Sequence, residues 1–111
     1  MSYEKVGDVQ SAQGDLAGAL KSYRESLGIR EKLAKQDPSN ALWQCDLALV
    51  YWKTGSVWAQ VEPKSRNEAR ATVERGRDIL RQMKEHMGLT AVHQEWLNSI
   101  EADLRKMQKK K

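Results

Sequence analysis

The chain has 111 residues and a mass of 12.7 kDa, enough for one domain with a real core and too little for two. Its 40% apolar and 31% charged residues exclude a disordered polyelectrolyte, and its longest apolar run, Leu47 to Trp52, is far short of the roughly 20 residues of a membrane span. The net charge is +4, and part of the excess is local: Lys106, Lys109, Lys110 and Lys111 crowd the last six residues.

Turn signals divide the chain into five predicted helices. The first covers about 3–13 and ends at Gly14-Asp15. The second covers 15–36, with Leu16, Ala19, Leu20, Tyr23, Ser26, Leu27, Ile29, Leu33 and Ala34 along its apolar side. Asp37-Pro38-Ser39-Asn40 ends it, because Pro38 cannot continue a helix and Ser39 or Asn40 can cap the next. The third covers 40–61 on a stripe of Trp43, Leu47, Val50, Tyr51, Thr54, Trp58 and Val61. After Pro63, Ser65-Arg66-Asn67-Glu68 has the form of a capping box and starts the fourth at 66. That helix runs to 86 on Ala69, Val73, Gly76, Ile79, Leu80, Met83 and Met87. Gly88 is placed to end it and Thr90 to cap the fifth, at 91–108, on Val92, Trp96, Ile100, Leu104 and Met107. Each helix is amphipathic and needs a neighbour.

An internal repeat sharpens this reading. Tyr3-Glu4-Lys5-Val6-Gly7-Asp8-Val9 is echoed by Tyr51-Trp52-Lys53-Thr54-Gly55-Ser56-Val57, displaced by 48 residues. Ala19, Tyr23, Ser26, Ile29 and Leu33 are echoed, displaced by 50, by Ala69, Val73, Gly76, Ile79 and Met83. A glycine inside a helix costs about 1 kcal/mol relative to alanine. Gly7 and Gly55 at equivalent positions therefore imply close helix approach.

These motifs resemble the tetratricopeptide repeat (TPR) family. Val6-Gly7, Ala19, Tyr23 and Ser26 have the family's spacing of small and aromatic residues. The segments Ala12–Arg30 and Asp37–Ala48 resemble a bacterial subtype with lengthened second helices, and the resemblance spans residues 3–58. It implies an all-α, right-handed superhelical stack of antiparallel hairpins. Unit one lies at about 3–36, unit two at 40–87 and a C-terminal capping helix at 90–108. The first helix of unit one is then shortened, which suggests either a piece of a longer array or a homodimer covering the N-terminal face. The first helix of each hairpin is expected to line a partner-binding groove through Glu4, Asp8 and Ser11 in unit one. In unit two the matching positions are Leu49, Trp52, Ser56 and Ala59. Glu4, Asp8, Trp52 and Ser56 replace the Lys and Asn with which some members clamp a peptide carboxylate, so an apolar or basic segment is the expected ligand.

No catalytic pattern emerges. His86 and His93 have no Cys or His at ligand spacing and read as surface residues. Cys45 has no base near it in sequence and reads as a plain helical cysteine. Its being single rules out an internal disulfide and suits a reducing compartment, so the cytoplasm is the expected location. Met1 to Lys5 lacks the apolar stretch of a secretory signal. Arg24, Glu25, Arg30, Glu31 and Lys32 read as solvated pairs. Trp43, Trp58 and Trp96 read as core, and Trp52, off the main stripe, as an interface anchor. Phosphate and dinucleotide loops are missing from the sequence, and no metal or other cofactor is expected. The expected function is non-enzymatic: a scaffold that binds another protein or its own copy. The alternative is contact with nucleic acid or an anionic surface through the basic tail, whose simpler role is to complement a helix dipole.

Overall fold

The computed structural model describes residues 3–109, with side chains through Met107. Five helices fill it: α1 (Tyr3–Ala12), α2 (Leu16–Gln36), α3 (Ala41–Val61), α4 (Arg66–His86) and α5 (Ala91–Lys109), with one 3₁₀ turn at Pro63–Ser65. Among the described residues there is no strand, and no helix is long and apolar enough to cross a membrane. Lys106 is exposed, whereas Lys110 and Lys111 lie outside the described residues.

The helix limits follow local chemistry. Gly14 and Gly88 both take positive φ, +86° and +80°, a conformation that suits glycine at a helix exit. Asp15 caps α2 by accepting from the Gly18 amide at 3.0 Å. Asn40 caps α3 by accepting from Trp43 at 3.1 Å, and Thr90 caps α5 by accepting from His93 at 3.2 Å. The capping box expected at Ser65 does not form. The preceding 3₁₀ turn leaves its hydroxyl directed at the Glu62 carboxylate, 3.3 Å away, and no side chain caps α4.

Each helix packs chiefly on its neighbours in sequence, α1 on α2, α2 on α3, α3 on α4 and α4 on α5. α3 sits at the centre and is buried on more than one side. Its Cys45 and Ala48 join Ala69, Val73, Leu80 and Met83 of α4 and Leu97, Ile100, Leu104 and Met107 of α5 in the main core. Its Val57 packs with Ala19, Leu20 and Tyr23 of α2, and its Leu47 and Tyr51 with Ala34. Complete burial of Leu80 or Ile100 is worth about 1.5–3 kcal/mol each.

Several expected core positions move. On α5 the buried seam is Leu97, Ile100, Leu104 and Met107, while Val92 is 55% exposed. The three-four-three spacing stays on one face; the four-residue steps from Val92 drift around the helix. Met87 and Ile29 are also exposed. Trp43, Trp58 and Trp96 are only half-buried. Trp58 lies beneath the Arg24 guanidinium, 4.7 Å from the ring centre, and its indole N–H donates to Glu62.

The glycines explain the repeat. A Cβ on Gly7 would stand 2.6 Å from a Tyr23 ring carbon, and one on Gly55 would strike the Val73 side chain and lie 2.6 Å from the Ala69 carbonyl oxygen. Gly76 closes the same interface from α4, where a Cβ would meet the Ala48 carbonyl at 2.7 Å. By contrast, nothing lies within 4 Å of a Cβ on Gly28. Gly28→Ala is therefore expected to stabilise the fold by about 0.5–1 kcal/mol through helix propensity alone. Gly55→Ala should lose about 1–3 kcal/mol because backbone must shift. Urea unfolding midpoints of the two variants moving in the same direction would contradict this.

Candidate functional site

The residues expected to line a groove fall on α1 and α3, and α5 borders the same face. Glu4, Asp8 and Ser11 recur at helical spacing on α1 and project toward α2 and α3. The two acids are not free. Lys53 Nζ donates to Glu4 at 2.8 Å and to both Asp8 oxygens at 3.0 Å. Arg30 of α2 bridges Glu4 at 3.3 Å and Asp46 of α3 at 3.1 Å, and the Tyr23 hydroxyl donates to Asp8 at 2.6 Å. This network ties three helices together. It differs from the solvated pairs expected around Arg30, because each partner comes from another helix. Glu31 likewise accepts from the Tyr51 hydroxyl across helices.

The charges are tuned accordingly. Burial disfavours ionisation of Asp8, but hydrogen bonds from Tyr23 and Lys53, with the charges of Lys53 and Lys5, outweigh it and hold the carboxyl below its ordinary value. Burial opposes the charge on Lys53 too, yet Glu4 and Asp8 raise its pKa. Burial and Asp8 push the Tyr23 phenol far above its usual range.

Beyond this network the face opens into a pocket of about 380 Å³ lined by Ser11, Leu49, Trp52, Ser56, Gln60 and Asp103, among others. Four of the seven expected groove residues thus share one concavity. Trp52 is half-buried, and its indole N–H donates to Asp103 of α5 at 2.8 Å. Glu4 and Asp8 do not line this pocket, though their partners Tyr23 and Lys53 do, and Ala59, like Trp52, packs against the main core.

A second, larger concavity of about 670 Å³ lies between α2, α3 and α4. Glu31, Lys35, Leu47, Tyr51, Arg75 and Ile79 are among its walls. No sequence motif marked it, since its walls come from three helices.

The structure also joins residues that appeared unrelated. Cys45 Sγ of α3 lies 3.4 Å from His93 Nδ1 of α5 and 3.7 Å from Met83 Sδ of α4. His93 is half-buried against Trp96, ring centres 4.8 Å apart, rather than a surface residue; His86 is exposed. Burial, then the neighbouring Asp46 charge, raises the Cys45 pKa. No protein-family model, curated protein or solved structure matches the chain. The geometry of these residues is therefore the ground for a functional reading.

A carboxylate whose folded-state pKa is depressed adds stability above its unfolded value, here 3.8, and loses it as the pH falls through the lower folded value. Asp8→Asn is expected to be less stable than the parent at neutral pH and to converge with it below pH 3.8. Thermal melts over that range showing a constant gap would count against the network.

Proposed function

We propose that this chain is a protein–protein interaction module, a TPR-like right-handed superhelical stack of α1/α2 and α3/α4 hairpins capped by α5. Sequential helix packing supports this reading, as do the equivalent contacts of Gly7 with Tyr23 and Gly55 with Val73. The pocket that gathers Ser11, Leu49, Trp52 and Ser56 carries it. This is where an apolar side chain of a partner peptide or helix would seat, with Asp103 at hand to accept a hydrogen bond. Glu4 and Asp8 are already neutralised by Lys53 and Arg30, which removes the basis for preferring a basic segment. A single buried thiol suits the cytoplasm.

Peptides selected by display against the intact protein test the proposal. Binders should be rich in apolar residues and shift Trp52 fluorescence. They should weaken about tenfold or more, about 1.4 kcal/mol, against Ser56→Arg with its helicity intact. Binders indifferent to Ser56→Arg would sink the pocket as the docking site.

Self-association is a second reading. Tyr3 and Val9 of α1 and Ile29 of α2 are 50%, 47% and 49% exposed, apolar side chains at the N-terminal end of the stack. We propose that a second copy covers them. Light scattering at micromolar concentration should show a dimer that Val9→Asp shifts toward monomer. A clean monomer for the parent chain overturns this.

A further inference from the structure

Cys45, His93 and Met83 come from three different helices and meet at one sulfur. The chain has one cysteine, two histidines and four methionines. Its cysteine, one histidine and one methionine converge here, with Cys45 Sγ 3.4 Å from the imidazole nitrogen and 3.7 Å from the thioether. These separations are informative. An ion bonded at about 2.3 Å to sulfur and about 2.0 Å to an imidazole nitrogen, at near-tetrahedral angles, holds sulfur and nitrogen about 3.5 Å apart and two sulfurs about 3.8 Å apart.

The donor set selects the ion. Zinc takes thiolate, imidazole and carboxylate. Among the described residues no three of His, Cys, Asp and Glu gather to hold a metal. The nearest carboxylate in sequence, Asp46, is engaged by Arg30 at 3.1 Å. The third donor is a thioether, a soft ligand, and thiolate with thioether favours cuprous ion. We infer that Cys45, Met83 and His93 form a binding site for Cu(I).

The surroundings fit such a site. The Thr90 hydroxyl caps the backbone at His93, and the imidazole packs against Trp96 with Nδ1 toward the sulfur. Cys45 is 2% exposed and Met83 7%, so the bound ion would be shielded from water. Access is nevertheless available. A concavity of about 290 Å³ reaches Met83 from the surface, between Gln44, His86 and Met87. Binding is a simple exchange. The S–H bond of Cys45 breaks, its proton leaves to solvent, and a Cu–S bond forms with no change of oxidation state.

The test is an anaerobic titration of the intact protein with cuprous ion, in competition with the chromogenic chelator bathocuproine disulfonate. The parent should take up a single equivalent and gain near-ultraviolet thiolate-to-copper absorption. Cys45→Ala should abolish that absorption. Met83→Leu, which preserves volume, and His93→Gln should each weaken uptake by about tenfold or more. His86→Ala, outside the trio, should leave it unchanged. Circular dichroism establishes that each variant is folded. Failure to compete with the chelator, or equal affinity in the parent and a folded Met83→Leu, overturns the site. Tighter uptake of Zn(II) that ignores Met83→Leu overturns the assignment to a soft ion.

Discussion

The close approach of α3 and α4 governs the molecule. It depends on Gly55 and Gly76, one on each helix, each with a backbone carbonyl of the other helix, Ala69 or Ala48, within 2.7 Å of where a Cβ would stand. With two helices this near, Val73 and Leu80 lose all contact with water, and Met83 is carried to Cys45. α5 then closes over both helices, and Arg81 and Arg66 of α4 hold it by reaching Glu101 and the Met107 carbonyl. A larger residue at either glycine separates the pair and disturbs everything layered on it. The about 1 kcal/mol of helix propensity forgone at each glycine is small beside the packing it permits.

The attachment of α1 is of another kind. Only Gly7 is buried on this ten-residue helix. Its hold on the body comes from Glu4 and Asp8 through Lys53, Arg30 and Tyr23. Half-exposed ion pairs contribute little individually, so geometry and number must supply the hold. Elements with few buried apolar contacts open most readily. α1 is such an element, and its Ser11 lines the pocket shared with Leu49, Trp52 and Ser56.

Much of the fold was legible because it is local. Pro38, Gly14, Gly88 and the caps Asn40 and Thr90 act within a few residues, and all five helix spans fall within one residue of expectation. The repeat revealed Gly7 and Gly55 because identical packing leaves identical residues. Ser65 misled because its capping pattern competes with a 3₁₀ turn started by Pro63. The α5 seam differs from the expected stripe because four-residue steps from Val92 drift off the buried face. The three-four-three register puts His93 in line with Leu97, Ile100 and Leu104. That register was the available signal that His93 faces inward. Its partner could not be read, since Cys45 lies 48 residues away with the whole of α4 between them. Likewise the resemblance singled out Ser11, Leu49, Trp52 and Ser56, which line one concavity, but Lys53 and Asp103, which line it too, carry no motif.

Packing between sequence neighbours also has a mechanical meaning. Contacts run mostly from each helix to the next, with Lys53 and Trp52 also tying α3 to α1 and to α5. Under load the electrostatic seam of α1, with one buried residue, is expected to yield before the glycine-tightened joint of α3 and α4. The molecule is thus graded along its length, compliant at one end and stiff at its centre.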